Sequence, residues 1–291
     1  MKHKRMFAAL LALGLCLVGC RAQTPEETQP LPEPEIVVLE NPAMEEQVIL
    51  EVEGVRVTAL KYAREELDGE TLRQGFLVRV ENENEFPMQV LSSWRGATVN
   101  GCNMPCDFGV LVPAEGAGEA FLGIDRAILY QAGISEIRQL SLPLDVTDDY
   151  GTGFAEEACT REIRTAHSGE PEEAPEIPGT VLIDQDGFRV IGRYVTGEKP
   201  ETLYFYVDND LEEEAMCFSG NFAADGVEAN IMTEDFIAPH NKTIILVENI
   251  TNYLKNAGAK DLDTLSLTFV AKTTDNLATL ARGDDLILTA E

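Results

Sequence analysis

Two tandem antiparallel β-sandwich domains, immunoglobulin-like in the broad sense and each with one short helix, are what this 291-residue sequence predicts. Short alternating or aliphatic runs bounded by Gly, Asn, Asp or Pro recur along the chain, as half-buried strands require. The chain also echoes itself: "AGISEIRQLSL" (132–142) returns as "AGAKDLDTLSL" (257–267), and a Pro- and Glu-rich stretch stands between the two copies. A hydrophobic content of 44% over this length is enough for two cores of ordinary size.

The first element is a leader. "MKHKRMFAALLALGLCLVGC" opens on Lys2, Lys4 and Arg5 and continues with an apolar run from Met6 to Val18, too short to span a bilayer comfortably. It closes on Leu17, Val18, Gly19 and Cys20, which resembles the lipobox of bacterial prolipoproteins. That resemblance implies a diacylglyceryl thioether on Cys20, removal of the signal peptide 1–19, and acyl chains such as palmitate in the membrane. Two or three chains, at roughly 0.8 kcal/mol per buried methylene, make a durable anchor where one does not. The mature protein is therefore expected on the extracytoplasmic face of the cell membrane, held through Cys20. Residues 20–46, rich in Pro and Glu with little to bury before Ile36, are expected to form an acidic stalk.

Domain 1 (47–165) and domain 2 (180–291) flank the linker "AHSGEPEEAPEIPG" (166–179). Gly54 to Val57 answers Gly187 to Val190, and "FLVRVENEN" from Phe76 answers "LYFYVDNDL" from Leu203. The order is kept throughout, and the period is too long for a solenoid, so domain 2 reads as a duplicate of domain 1. In "LSLPLDV" one face carries Leu140, Leu142, Leu144 and Val146, and in the second copy it carries Leu265, Leu267 and Phe269. Before them, "DRAILYQAG" and "NITNYLKNAG" suit one or two helical turns ended by Ala-Gly, with Gly133 and Gly258 at the left-handed C-cap. No Cys…Trp…Cys pattern supports an antibody-type domain. With its lipobox, the "VNG" at 99–101 and the "AG…L.L" ending of each copy, the chain resembles lipid-anchored surface proteins of gut Firmicutes that carry tandem sandwich domains of unassigned function. That resemblance implies no activity.

Charge narrows the partners. Fifty-one acidic residues against 22 basic ones give a formal charge of -29, which repels a phosphate backbone and excludes nucleic acid. Cations and cationic peptides remain complementary, beside the plainer reading of a soluble, self-repelling surface. Of three histidines only His240 lies in a domain, and no G-x-S-x-G elbow accompanies it. Cys102 and Cys106 share a short loop and either form a local disulfide or stay thiols, according to the redox compartment. No nearby His or second pair completes a zinc set with them, and neither recurs in the second copy, so a copy-specific staple is expected. The acidic clusters "DQDG", "DNDLEEE", "TDDYG" and "RGDD" lack the spacing of an EF-hand loop and read as solvated turns. Trp94, the sole tryptophan, is expected to pack in a core or at an edge. The alternative is a binding surface that includes Trp94, Cys102 and Cys106. No cofactor or metal is expected.

These readings lead to a non-catalytic, lipid-anchored envelope protein serving adhesion, scaffolding or ligand presentation. The competing classes are a binding lipoprotein that captures a small molecule, peptide or cation between the domains, and a hydrolase whose site is assembled from distant residues. A cleft lined by convergent polar groups would separate capture from scaffold. The two copies agree where a helix must end and a strand must pack, so any site is expected where they diverge, around Trp94 and Cys102 to Cys106.

Overall fold

The computed structural model describes residues 34–148, 151–170, 176–197 and 202–291. Leu17, Val18, Gly19 and Cys20, the first part of the stalk and the middle of the linker lie outside them. The described chain is mostly β. Its first half contains β1 (Glu35–Val38), β2 (Gln47–Val52), β3 (Val55–Leu67), β4 (Glu70–Asn82), β5 (Met88–Ser92), β6 (Ala97–Val99), β7 (Cys102–Met104), β8 (Gly109–Val112) and β9 (Gly116–Asp125). Helix α1 (Arg126–Gln131) and strands β10 (Gln139–Ser141), β11 (Pro143–Asp148), β12 (Gly153–Cys159) and β13 (Ile163–Arg164) complete it. The second half runs through β14 (Thr180–Gln185), β15 (Phe188–Val195), β16 (Thr202–Asn209), β17 (Ala215–Ala224), β18 (Val227–Ile237) and β19 (Asn241–Glu248). It ends with α2 (Ile250–Ala257), β20 (Thr264–Thr273) and β21 (Thr279–Thr289).

Five connections are two-residue hairpin turns: Glu53-Gly54, Asp68-Gly69, Asn100-Gly101, Asp186-Gly187 and Asp225-Gly226. All ten residues have φ between 43° and 89°, the left-handed conformation that matches the twist of the flanking strands and favours Gly, Asn and Asp. The "DQDG" cluster is thus one such turn.

Corresponding strands of the two halves pair in the same order. β2 and β3 to β4 to β9 in the first half matches β14-β15-β16-β19 in the second, and β12-β11-β5-β8 matches β21-β20-β17-β18. Each half has its own apolar cluster, one gathering Val57, Val78, Val80, Val90 and Leu144, the other Val190, Phe205, Val207, Leu267 and Phe269. A buried asparagine serves both. Asn82 Nδ2 donates to the carbonyls of Phe86 and Pro113 at 2.8 and 3.0 Å, and Asn209 Nδ2 donates to those of Glu213 and Ala238 at 2.9 and 3.1 Å. The helix ends also correspond: Ile134 N donates to Leu129 O and Ala259 N to Leu254 O, with Gly133 at φ 67° and Gly258 at φ 113°.

The halves differ in one respect. In the second, β17, β18 and β20 run unbroken. In the first, the equivalent strands are creased at Ser93–Gly96, at Pro105–Phe108 and at Leu142, and β12 is separated from β13 in the same way. The expected strand "LSLPLDV" is therefore two strands in two sheets, although Leu140, Leu142, Leu144 and Val146 are all buried as the alternation requires. Beyond the crease, the tips β13-β10-β6-β7 leave their sheet and continue that of the second half. The result is an eight-stranded sheet, β13-β10-β6-β7-β19-β16-β15-β14. Its seam is a parallel pairing of Cys102 with Lys242 and Asn103 with Thr243, whereas the other strand ladders are antiparallel.

The seam covers a face that sandwiches usually leave wet. Ile191, Val195, Tyr204, Tyr206 and Ile244 belong to the first half's cluster, while Leu203, Phe205 and Val207 face the second's. Strand β16 is accordingly buried on both sides. The Arg193 guanidinium over the Tyr130 ring, 5.0 Å from its centroid, adds a contact between β15 and α1.

One expectation is corrected here, and for Cys102 and Cys106 one of the two stated alternatives is the one seen. The folded region begins before Gln47: the β-branched run Ile36-Val37-Val38 pairs as β1 with the outer part of β3, so part of the expected stalk is strand. Cys102 and Cys106 are both free thiols. Cys102 is turned into the core by the alternation of β7, and Cys106 lies past Pro105 in the crease.

Candidate functional site

The crease turns "SSWRG" into a short corner. Ser93 N donates to Pro143 O at 3.0 Å and Gly96 N to Ser93 O at 3.1 Å, while Ser92 Oγ donates to Cys106 O at 2.9 Å. Gly96 has φ 73°, and a Cβ there would stand 2.2 Å from Met104 O, so only glycine allows this approach. Ser93 takes the inward place, and Trp94 is left pointing outward, 81% exposed. The expectation that Trp94 packs in a core or at an edge is thereby corrected: the corner reverses the register that would have buried it. The Arg95 guanidinium covers part of its ring, 5.3 Å from the centroid.

Trp94 borders a groove of about 580 Å³ that both halves build. Its floor is the seam itself, with Asn103 and Met104 of β7 beside Asn241 and Thr243 of β19. One wall is the crease, from Trp94 to Gly96 with Glu157 and Cys159 of β12. The other is the end of β18, Glu234, Asp235 and Phe236, with Glu214 nearby. Two further grooves, of about 500 and 360 Å³, continue it past Trp94, Pro105 and Cys106 to Arg73, Asp125 and Glu248, and then to Thr202 and Tyr204. Consecutive grooves share lining residues, so the three form one trough along the junction of the halves.

Acid dominates this trough. Among the described residues, eight carboxylates line it against two arginines, and both arginines are already paired. Arg95 Nε donates to Glu157 Oε1 at 2.9 Å, and Arg73 Nε donates to Glu65 Oε2 at 2.6 Å. Glu157 reaches Arg95 from a bulge in β12, where its own φ is 49°, an uncommon conformation for a non-glycine residue and one that re-aims the side chain. Burial raises the pKa of Asp235, opposed by the hydrogen bond that Phe236 N donates to Oδ1 at 2.8 Å. Asp125 is raised by the surrounding protein mass as well, although solvent reaches much of its side chain, and Arg73 opposes the shift. Both would gain from a cation placed beside them.

No protein-family model matches this sequence, and no curated protein does. Among solved structures, that of red sea bream transglutaminase is similar at a TM-score of 0.23 and 13% identity, over 76% of this chain and 29% of that one. This chain thus spans less than a third of the transglutaminase.

The remaining candidates for chemistry lie apart. Burial pushes the thiols of Cys102 and Cys106 up to about 12, which keeps them protonated and poorly nucleophilic at neutral pH. Cys102 belongs to the core rather than to a surface, Cys106 lines the second groove, and Cys159 is exposed in the first. His240 sits 3.3 Å from Asp210 and 3.3 Å from Glu212, whose carboxylates raise its pKa. Arg282 of the "RGDD" cluster is bound to its own neighbour Asp284 at 2.8 Å. Among the described residues, no group of three His, Cys, Asp or Glu side chains could hold a metal ion.

The sequence pointed to Trp94 and the Cys102 to Cys106 stretch because they lack counterparts in the second copy. It did not point to Glu157, Glu214, Glu234, Asp235 or Phe236, which the seam brings to the same groove from distant positions. One signal was available. "FLVRV" alternates, but its counterpart "LYFYV" is apolar throughout, as expected of a strand covered on both faces. Tyr204 and Tyr206 align with Leu77 and Arg79 of the first half, and they mark the face on which the first half is seated.

Proposed function

We propose that this chain is a lipid-anchored, extracytoplasmic, non-catalytic binding module that holds a ligand in the trough at the junction of its two halves. It is a duplicated immunoglobulin-like sandwich in which the second copy keeps the ancestral strand course and the first has been creased to form the junction. The observation that carries the reading is the groove beneath Trp94: a large aromatic residue stands 81% exposed over a concavity built from both halves. Exposed aromatics beside a concave surface are the usual anchors of recognition. The duplication is supported by the paired asparagines, the paired helix ends and the common strand order.

The groove is tested by placing a photoreactive benzophenone side chain at Phe236, on its rim, and at Ile287, an exposed residue of β21 outside the three grooves. Irradiation of intact cells should give a discrete adduct from position 236 and none from position 287. Equal labelling from both positions, or none from 236, would count against a binding groove.

The anchor rests on the Leu17-Val18-Gly19-Cys20 sequence. Replacing Cys20 by serine removes the thioether acceptor, and the protein should move almost entirely from the membrane fraction to the soluble one. Continued membrane retention of Cys20→Ser would contradict lipidation.

A further inference from the structure

We infer that the trough receives an extended basic segment of a partner protein, which adds as a strand beside Glu234–Phe236 of β18 and places its lysine or arginine side chains among the groove's carboxylates. The inference rests on the binding reading of this groove and names its occupant.

The backbone supplies the first argument. Among the described residues, β18 pairs on one side only, with β17, and forms the outer strand of its sheet. An outer strand presents N–H and C=O groups that an incoming extended chain can satisfy. The stretch that lines the groove, Glu234 to Phe236, opens toward the crease of the first half across a floor formed by β7 and β19. The groove therefore has the shape of a strand's bed. One of the donors on this edge, Phe236 N, is held by Asp235 Oδ1 at 2.8 Å, so an incoming strand displaces that side-chain bond and frees the Asp235 carboxylate for its own cation.

Charge supplies the second. Glu157, Glu214, Glu234 and Asp235 surround the groove, and its one arginine, Arg95, is engaged with Glu157. The continuation past Cys106 adds Asp107, Asp125 and Glu248, where Arg73 is engaged with Glu65. An incoming cation would pair with several of these at once. An acidic segment would be repelled, and that excludes two occupants close at hand: the chain's own Pro- and Glu-rich stalk, and a second copy of a protein with formal charge -29. A small cation alone would leave Trp94 and the 49% exposed Phe236 without a role. An alkyl-ammonium or guanidinium side chain uses both, because its stem packs on an aromatic face and its charge is attracted to the ring.

Trp94 is the only tryptophan, so its fluorescence reports this site alone. The test titrates the full chain, in detergent micelles, with an acetylated decapeptide that alternates lysine with valine or threonine. Three controls accompany it: the same peptide with glutamate for lysine, the lysine peptide N-methylated at alternate residues, and the Glu234→Gln/Asp235→Asn variant. The lysine peptide should shift Trp94 emission saturably and compete with the photo-adduct at position 236. Its affinity should fall about tenfold or more between 50 and 500 mM salt, as expected for contacts between charges. The double variant should bind about tenfold more weakly, and the N-methylated peptide, which keeps its charge but loses backbone donors, should fail to saturate the signal. Equal binding of the glutamate peptide would overturn the basic class, and equal binding of the N-methylated peptide would overturn strand addition. If no peptide binds while the adduct at 236 persists, the occupant named here is wrong and the groove still binds. If the adduct is also absent, the binding reading itself falls.

Discussion

Asn209→Ala is expected to destabilise the protein by about 3 kcal/mol, read as a fall in the urea midpoint. The side chain is fully buried and its amide ties two stretches of chain, 211–213 and 237–238, to β16. It donates to Glu213 O and Ala238 O, lies 3.3 Å from Ile237 O, and accepts from Leu211 N at 3.3 Å. Alanine would strand these groups in a place that water does not reach, and the cost of an unmade buried hydrogen bond exceeds the net gain of a made one. Asn209→Asp should be nearly as damaging, since a carboxylate cannot donate to the carbonyls. The same change at Asn82 should cost a similar amount, because its amide ties Phe86 O and Pro113 O together and accepts from Asn84 N. Only Asn209, however, holds a wall of the groove, since Glu213 precedes Glu214 and Ala238 is itself a lining residue. A midpoint unchanged in Asn209→Ala would mean that these carbonyls find other donors.

Phe205→Ala should cost about 4 kcal/mol, within the range for emptying a large aromatic from a packed core. The ring is fully buried and meets Phe269 edge-on at 5.3 Å between centroids. Its strand is clamped between two clusters: Leu203, Phe205 and Val207 face one, Tyr204 and Tyr206 the other. A strand held from both sides cannot shift to close a cavity on one side, so the void should persist and the cost should sit high in its range. Phe205→Leu keeps most of the volume and should lose about 1.5 kcal/mol or less. Comparing the two by thermal or urea unfolding checks the argument, and a Phe205→Ala loss no greater than that of Phe205→Leu would show that β16 does relax.

Much of the local structure is legible in the residues. The Asn-Gly and Asp-Gly pairs mark hairpins because both positions of that turn need positive φ, which Gly tolerates freely and Asn and Asp tolerate better than most. The Ala-Gly pairs mark helix ends for the same steric reason. Alternation in "LSLPLDV" identifies the buried face even though the strand divides at Leu142. What pattern alone does not convey is which sheet a strand joins. The crease depends on a Cβ-free approach at Gly96, on carbonyl pairings across Ser92, Ser93, Cys106 and Pro143, and on an edge 140 residues away that accepts β7. These are tertiary facts, and the groove follows from them rather than from any motif. Trp94 illustrates the limit: its composition is that of a core residue, and one corner places it in water.

The borrowed strand also bears on how the molecule comes to be made. Synthesis proceeds from the N-terminus, so the half that lends β7 leaves the ribosome before the half that needs it, and the lender can be in place when β19 arrives. A product carrying the second half alone would offer Ile191, Tyr204, Tyr206 and Ile244 to its neighbours, together with an unpaired edge at β19, and such edges invite pairing between molecules. With the first half made before the second, that face and that edge meet their cover within the same chain.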